Sequence, residues 1–244
     1  MRVSLSLSLC FGQVFLHDFN PGDPRAPRQL EGLRYPWESA LSGAEQCTPS
    51  DENHIVGDIA TAFRQYFRAT HDVKWLRESG FPVLEGIAQY YASRVTIDPD
   101  GKRYHTYGQL GPDEYHGNIT DSAYGNAVGA QALRAAYDYA RLIGKQPNET
   151  FKRIADGLVI PYNSTLDYHP EYDEALWNAR AQKQIKQADT VLMYYPLGIN
   201  ASASTRRNDV RRYAALQDPH GVAMTWGIQC IASLGIGDIA AAAT

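Results

Sequence analysis

The stretch from Ala123 to Ile143 carries alanines throughout and begins directly behind Asp121-Ser122. Alanine has the highest intrinsic helix propensity, and Asp and Ser are preferred where a helix begins, because their side-chain oxygens accept otherwise orphaned backbone N–H groups. The spacing therefore predicts a long capped helix over 123–143. A helix of this length has to bury one face against other elements, which favours a layered helical domain.

The neighbouring segments read the same way. Ile55, Ile59, Ala62, Phe63, Tyr66 and Phe67 recur at helical steps and predict a buried face, with a break at His71-Asp72. Val73 to Gly80 reads as a short helix ended by Gly80 as a C-cap. Pro82 suits the first turn of the next helix, which carries Val83, Leu84, Ile87, Ala88, Tyr90 and Tyr91. Residues 94–110 predict a small β-hairpin over Asp98-Pro99-Asp100-Gly101. Further helices are expected over Glu149–Leu158, Arg206–Ala215 and Val222–Leu234, with 160–182 as an aromatic-rich loop and 190–195 as a short apolar segment. The bottom-up architecture is all-α, with long loops that carry the polar and aromatic residues.

Gly111-Pro112-Asp113-Glu114-Tyr115-His116 places paired carboxylates and a histidine in a tight turn just ahead of the long helix. Proximity of like charges raises one carboxyl pKa, which suits Glu114 for general-acid work; Asp113 would position Glu114 or bind a sugar hydroxyl, and His116 beside it is a further substrate-binding candidate. The bland alternative is a surface turn, since Pro-Asp is common turn chemistry. Trp37-Glu38 offers an aromatic floor next to a carboxylate, or else a buried loop anchor. Lys186-Gln187-Ala188-Asp189 offers donors and acceptors, or else a solvated face.

Other chemistries find no support. His54, His116 and His220 lack metal-ligand spacing, and Cys10, Cys47 and Cys230 are far apart, so neither a metal site nor a disulfide framework is expected. There is no phosphate-binding glycine loop and no nucleophile elbow, and no cofactor is expected. A net charge of -4 without a basic stripe argues against nucleic acid; Arg206-Arg207 and Arg211-Arg212 read as one solvated helix face. No apolar run is long enough to span a membrane. Sequons at Asn118, Asn148, Asn163 and Asn200, with a weakly signal-like N-terminal run after Arg2, point to a secreted or vacuolar location.

Taken together, these segments resemble the catalytic domain of glycoside hydrolase family 65. The resemblance is carried by Gly32-Leu33-Arg34-Tyr35-Pro36-Trp37-Glu38-Ser39-Ala40, Glu52-Asn53-His54-Ile55 with Asp58-Ile59-Ala60, and Gly111–His116 with Asn126. His169-Pro170-Glu171-Tyr172-Asp173, Lys186–Asp189 with Tyr195-Pro196, and Ala223-Met224-Thr225-Trp226 follow in the family's order. It implies an (α/α)6 barrel and inverting attack on α-glucosides. It is nearest the branch that trims glucosyl-galactosyl-hydroxylysine, beside acid trehalases. Glu114 matches the general acid, and Trp37, Glu38, Lys186 and Gln187 match glucose-binding positions. The partner implied is a small carbohydrate ending in α-linked glucose.

The domain reading is an irregular segment over 1–29 and an incomplete barrel over 30–244. Phosphorylases of the family resemble one another in a His-x-Ser-Ser segment. Here His220-Gly221-Val222-Ala223 stands in its place, which favours water as nucleophile. The hydrolases' base glutamate lies downstream of the Ala-Met-Thr-Trp helix and has no visible counterpart. Hydrolase, phosphorylase and non-catalytic sugar-binding remnant are therefore the readings to separate.

Overall fold

The computed structural model describes residues 30–37 and 51–243. Glu38, Cys10, Cys47 and the 1–29 segment lie outside the described residues. Helices dominate, as the sequence predicts. The chain divides into two units, one holding the described residues up to Gly108 plus Val128–Leu158, the other Gln109–Ala127 plus Val159 onward.

In the first unit, α1 (His54–Thr70) ends at His71 in the left-handed region, whose N–H bonds Phe67 O at 2.8 Å. The expected break is there, but the buried face is shifted by one residue from the Ile55–Ile59 stripe. Val56, Gly57, Ala60, Thr61 and Phe67 are buried, while Ala62 and Tyr66 are exposed. Gly57 causes the shift. A Cβ there would lie 2.6 Å from Val128 and 2.7 Å from the Tyr91 hydroxyl, so the closest packing runs over a residue that hydrophobicity does not mark.

Helix α2 (Val73–Trp75) begins on an Asp72 cap and runs through a π-helical turn, Leu76–Gly80, straight into α3 (Phe81–Arg94). Gly80 is helical (φ -72°, ψ -49°), not a C-cap. It is small because a Cβ would meet the Trp75 ring at 2.8 Å. The predicted face of α3 is buried throughout. The hairpin is present as β1 (Thr96–Ile97) paired antiparallel with β2 (Tyr104–His105). Long helix α4 (Ala123–Leu142) contributes Val128–Leu142 to this unit, and α5 (Glu149–Gly157) is capped by Asn148. Leu84, Ile87, Leu133, Phe151 and Ile154 are among the residues of one apolar core.

His54 sits at the start of α1, buried, with Nδ1 2.9 Å from Asp58 and Nε2 3.3 Å from Glu52. Burial disfavours its charge, but the two carboxylates outweigh that and hold its pKa up at about 9. Folding therefore favours the protonated ring. The resulting stability is complete below pH 6.5, shrinks as pH rises, and is gone beyond about 9. Its size is on the order of 3 kcal/mol. Thermal melts across that window should fall for the parent chain, and His54→Gln should lack that component of the slope.

The second unit holds α6 (Glu174–Ala179), a 3-10 turn (Thr190–Met193), α7 (Ala203–Leu216), α8 (Met224–Gly235) and α9 (Ile239–Ala242). Helix α6 lies inside the segment expected to be loop; Asp173 caps it, accepting from Leu176 N at 3.0 Å. Its core joins Ile119, Tyr172, Trp177, Ile185, Val191, Val210 and Tyr213. Cys230 on α8 is half-buried. No helix among the described residues is long and apolar enough to cross a membrane.

Candidate active site

The Gly111–His116 turn is held at its base. Gln109 and Ile119 exchange backbone hydrogen bonds of 3.0 and 2.9 Å, closing the loop, and the Gln109 side chain accepts from Ser122 N at 3.0 Å. Ser122 in turn caps α4 through Gly125 N. The facing strand of chain, Ile185–Asp189, is fixed by a second bridge: Ile185 N bonds Leu216 O, and Asp218 N bonds Ile185 O, both at 2.9 Å.

Asp113 joins the two. It is fully buried, and its Oδ1 accepts from Lys186 N at 2.6 Å and Tyr115 N at 3.3 Å. Its Oδ2 accepts from His116 Nδ1 at 2.6 Å. The Asp113 backbone N–H donates to Asp189 Oδ2 at 3.1 Å. Gly111 is required beside that carboxylate, since a Cβ would lie 2.5 Å from Asp189 Oδ2. The sequence-predicted substrate candidates Asp113 and His116 are thus placed inside the unit. The His116 ring packs 5.7 Å from both Tyr172 and Trp177, and its Nε2 faces Gln182 O at 3.3 Å.

Above this buried staple the remaining candidates come together. Glu114 is part-exposed and accepts from Lys186 Nζ at 2.9 Å. The Gln187 side-chain amide donates to Pro112 O, one position before Asp113. Tyr115, exposed, donates to Asp218 at 2.7 Å. Glu114, Lys186 and Gln187 therefore form one constellation on a rigid base. Trp37 is half-buried in the first unit.

Two further buried carboxylates carry no role in the sequence reading. Asp189 and Glu171 are each 1 % exposed, against Asp113. Burial, and then the charges of Asp189 and Asp113, push the Glu171 carboxyl well above the ordinary value of 4.5. The segment that carries Glu171 is anchored by His169, whose N–H and Nδ1 meet the fully buried Asp209 carboxylate at 2.8 and 2.7 Å, with Tyr194 on the same group. The available signal for these residues was their place in the His169–Asp173 and Lys186–Asp189 segments. Asp113, His116 and Glu171 bring one atom each within 4.8 Å of one another, a reach that would also suit a cation. However, His116 Nδ1 is already engaged with Asp113 Oδ2, and Asp113 Oδ1 accepts two backbone bonds. Hydrogen bonding accounts for Asp113 and His116 in this group.

A part-exposed acid held by a lysine over a dry staple, on an all-helical scaffold, is a site suited to proton transfer to a bound polar ligand. The chain matches the glycosyl hydrolase family 65 central catalytic domain over residues 24–173. It is 37% identical over 214 residues to the protein-glucosylgalactosylhydroxylysine glucosidase of Danio rerio, which covers 85% of this chain and 32% of that protein. It is 33% identical over 190 residues to a kojibiose hydrolase of Flavobacterium johnsoniae, covering 75% of this chain and 27% of that protein. A solved structure assigned as a kojibiose phosphorylase from the human microbiome shares the fold at a TM-score of 0.71 and 15% identity, covering 86% of this chain and 37% of that one. The chain belongs to glycosyl hydrolase family 65, and its fold is part of that family's (α/α)6 helical barrel. It spans about a third of the length of the curated relatives it matches.

Proposed function

We propose that this chain acts in hydrolysis of a terminal α-linked glucose with inversion, with Glu114 as general acid. The observation that carries the reading is the Glu114–Lys186 pair, part-exposed on a base whose buried polar groups hold it in place. A general acid donates a proton to the departing glycosidic oxygen, and a carboxylate paired with an ammonium has none to give. Substrate would draw Lys186 onto a sugar hydroxyl and leave Glu114 to take up and deliver the proton. Gln187, adjacent on the same segment, supplies an amide to the same sugar. The family resemblance assigns glucose binding to Trp37 and Glu38 as well. The reading needs a second carboxylate, which activates water from the opposite face at roughly 6.5–9.5 Å from the acid.

The printed activities of the relatives support glucosylated galactosyl-hydroxylysine and kojibiose as the first substrates to try, with trehalose after them. The stretch His220–Ala223 lacks a serine pair for phosphate, which favours water over phosphorolysis. The sequons support a secreted or vacuolar setting. The test is product analysis with and without inorganic phosphate. Free β-glucose released equally in both is the expected result. Glucose 1-phosphate formed only with phosphate would make the chain a phosphorylase, and binding without turnover would make it a sugar-binding remnant.

A further inference from the structure

Asp113, Glu171 and Asp189 bring three carboxyl groups into one buried space, with the His116 ring from the turn beside them. Asp113 accepts three hydrogen bonds, and Asp189 Oδ2 accepts from Asp113 N. Glu171 Oε2 and Asp189 Oδ1 are both buried and make no hydrogen bond, and the Glu171 oxygen stands 3.9 Å from His116 Nδ1. A buried oxygen without a donor is costly as a carboxylate, but as a carboxyl O–H it becomes a donor to a neighbouring acid. The acceptors that neighbour the Glu171 carboxyl are Asp113 and Asp189.

Resting on the hydrolase reading for its catalytic arm only, we propose that Glu171 is a positioning residue, a neutral carboxyl whose proton bridges to the Asp113–Asp189 pair and so locks the turn that carries Glu114. Glu171 never touches substrate. Its backbone carbonyl also accepts from Ala123 N at 2.8 Å, tying the bridge to the start of α4. The groups that face it are Asp113 and His116 from the turn, Asp189 from the facing segment, its neighbour Tyr172, and Tyr213 from α7. Asp113 and Asp189 disfavour a further negative charge there. The raised Glu171 pKa agrees with this arrangement, because like charges and burial both favour the protonated form. The folded chain then keeps a proton that the unfolded chain releases above the ordinary value of 4.5, so this residue's contribution to stability declines as pH rises.

The experiment uses the full chain, Glu171→Gln and Glu171→Ala. The infrared carbonyl stretch of a buried protonated carboxyl should be present in the parent at neutral pH and absent from Glu171→Gln. Gln retains a neutral donor, so glucose release should stay within roughly threefold of the parent, whereas Ala should lose about 100-fold through displacement of the acid. Relative to the parent, the stability of Glu171→Gln should improve with pH, approaching about tenfold in the folding constant per pH unit. A carboxyl band that persists in Glu171→Gln would put the proton on Asp113 or Asp189 and overturn the assignment. Equal losses in Gln and Ala would overturn it as well. If the parent releases no glucose, or Glu114→Gln releases as much as the parent, the hydrolase reading fails, while the infrared and stability arms still decide Glu171.

Discussion

Glu114→Gln should remove glucose release from a natural glucoside, lowering kcat by roughly 10²–10⁴-fold, while an iminosugar that mimics glucose keeps its affinity. Gln is nearly isosteric, and its amide oxygen still accepts from Lys186 Nζ, now 2.9 Å from the Glu114 carboxylate. The turn beneath is unaffected, because its hydrogen bonds run through Asp113 and Gln187, not Glu114. What disappears is the transferable proton. That loss is felt only where the leaving group needs one. With α-glucosyl fluoride, whose fluoride departs unprotonated, the variant should recover most of the parent's rate. An equal loss on both substrates would mean that Glu114 positions or binds rather than donates, and unchanged turnover would remove it from the chemistry. Lys186→Ala provides the contrast: it should weaken binding and turnover together, since it deletes a sugar contact and frees the acid's side chain.

The helices were legible wherever apolar residues define the packing face. The α3 face and the Ser122-capped start of α4 are of this kind, and both are found as the spacing predicts. The sequence reading missed where packing runs over residues without a hydrophobic signal. On α1 the buried stripe follows Thr61 and Gly57, the latter letting Val128 and Tyr91 approach, instead of Ile55 and Ile59. At Gly80 the signal was ambiguous, because glycine marks both a helix end and a close contact. Here the contact with Trp75 decides it. Helix α6 was hidden because it is only six residues long, and its aromatic surroundings resemble a loop.

The site shows the same division. Glu114, Lys186 and Gln187 were readable because their residue types suit sugar chemistry and their order matches a family. The support beneath them was not, since burial is what gives Glu171 and Asp189 their role and no local pattern announces it. Two acids in separate segments look like solvated charges until the fold removes water from both. Asp113 illustrates the reverse. Its place beside Glu114 left two roles open, positioning that acid or binding a sugar hydroxyl, and the structure places it in the staple, with no exposed surface. Adjacent residues in a turn point to opposite sides, so the acid and its anchor can be consecutive.

Asp113→Ala should cost about 3–5 kcal/mol, enough to leave a domain of ordinary stability marginal. Two effects compete. Removing one of the clustered carboxylates relieves its repulsion with Asp189, which stabilises the variant. Against that, Lys186 N, Tyr115 N and His116 Nδ1 all lose their acceptor at once. Each buried donor left unmade costs about 1–3 kcal/mol, so the three outweigh the relief of a single like charge. Asp113→Asn separates the effects. Its side-chain oxygen can still accept from the two backbone N–H groups, but its amide presents a donor to His116. It should therefore lose roughly half as much. Chemical denaturation of the full chain measures both losses, and the buried carboxyl band reports the charge side directly. With Asp113 gone, Glu171 faces one carboxylate fewer, so its proton should leave at lower pH. If Asp113→Ala and Asp113→Asn melt with the parent, the turn is not held by this residue, and the rigidity assigned to Glu114 has to come from the Gln109–Ile119 closure alone.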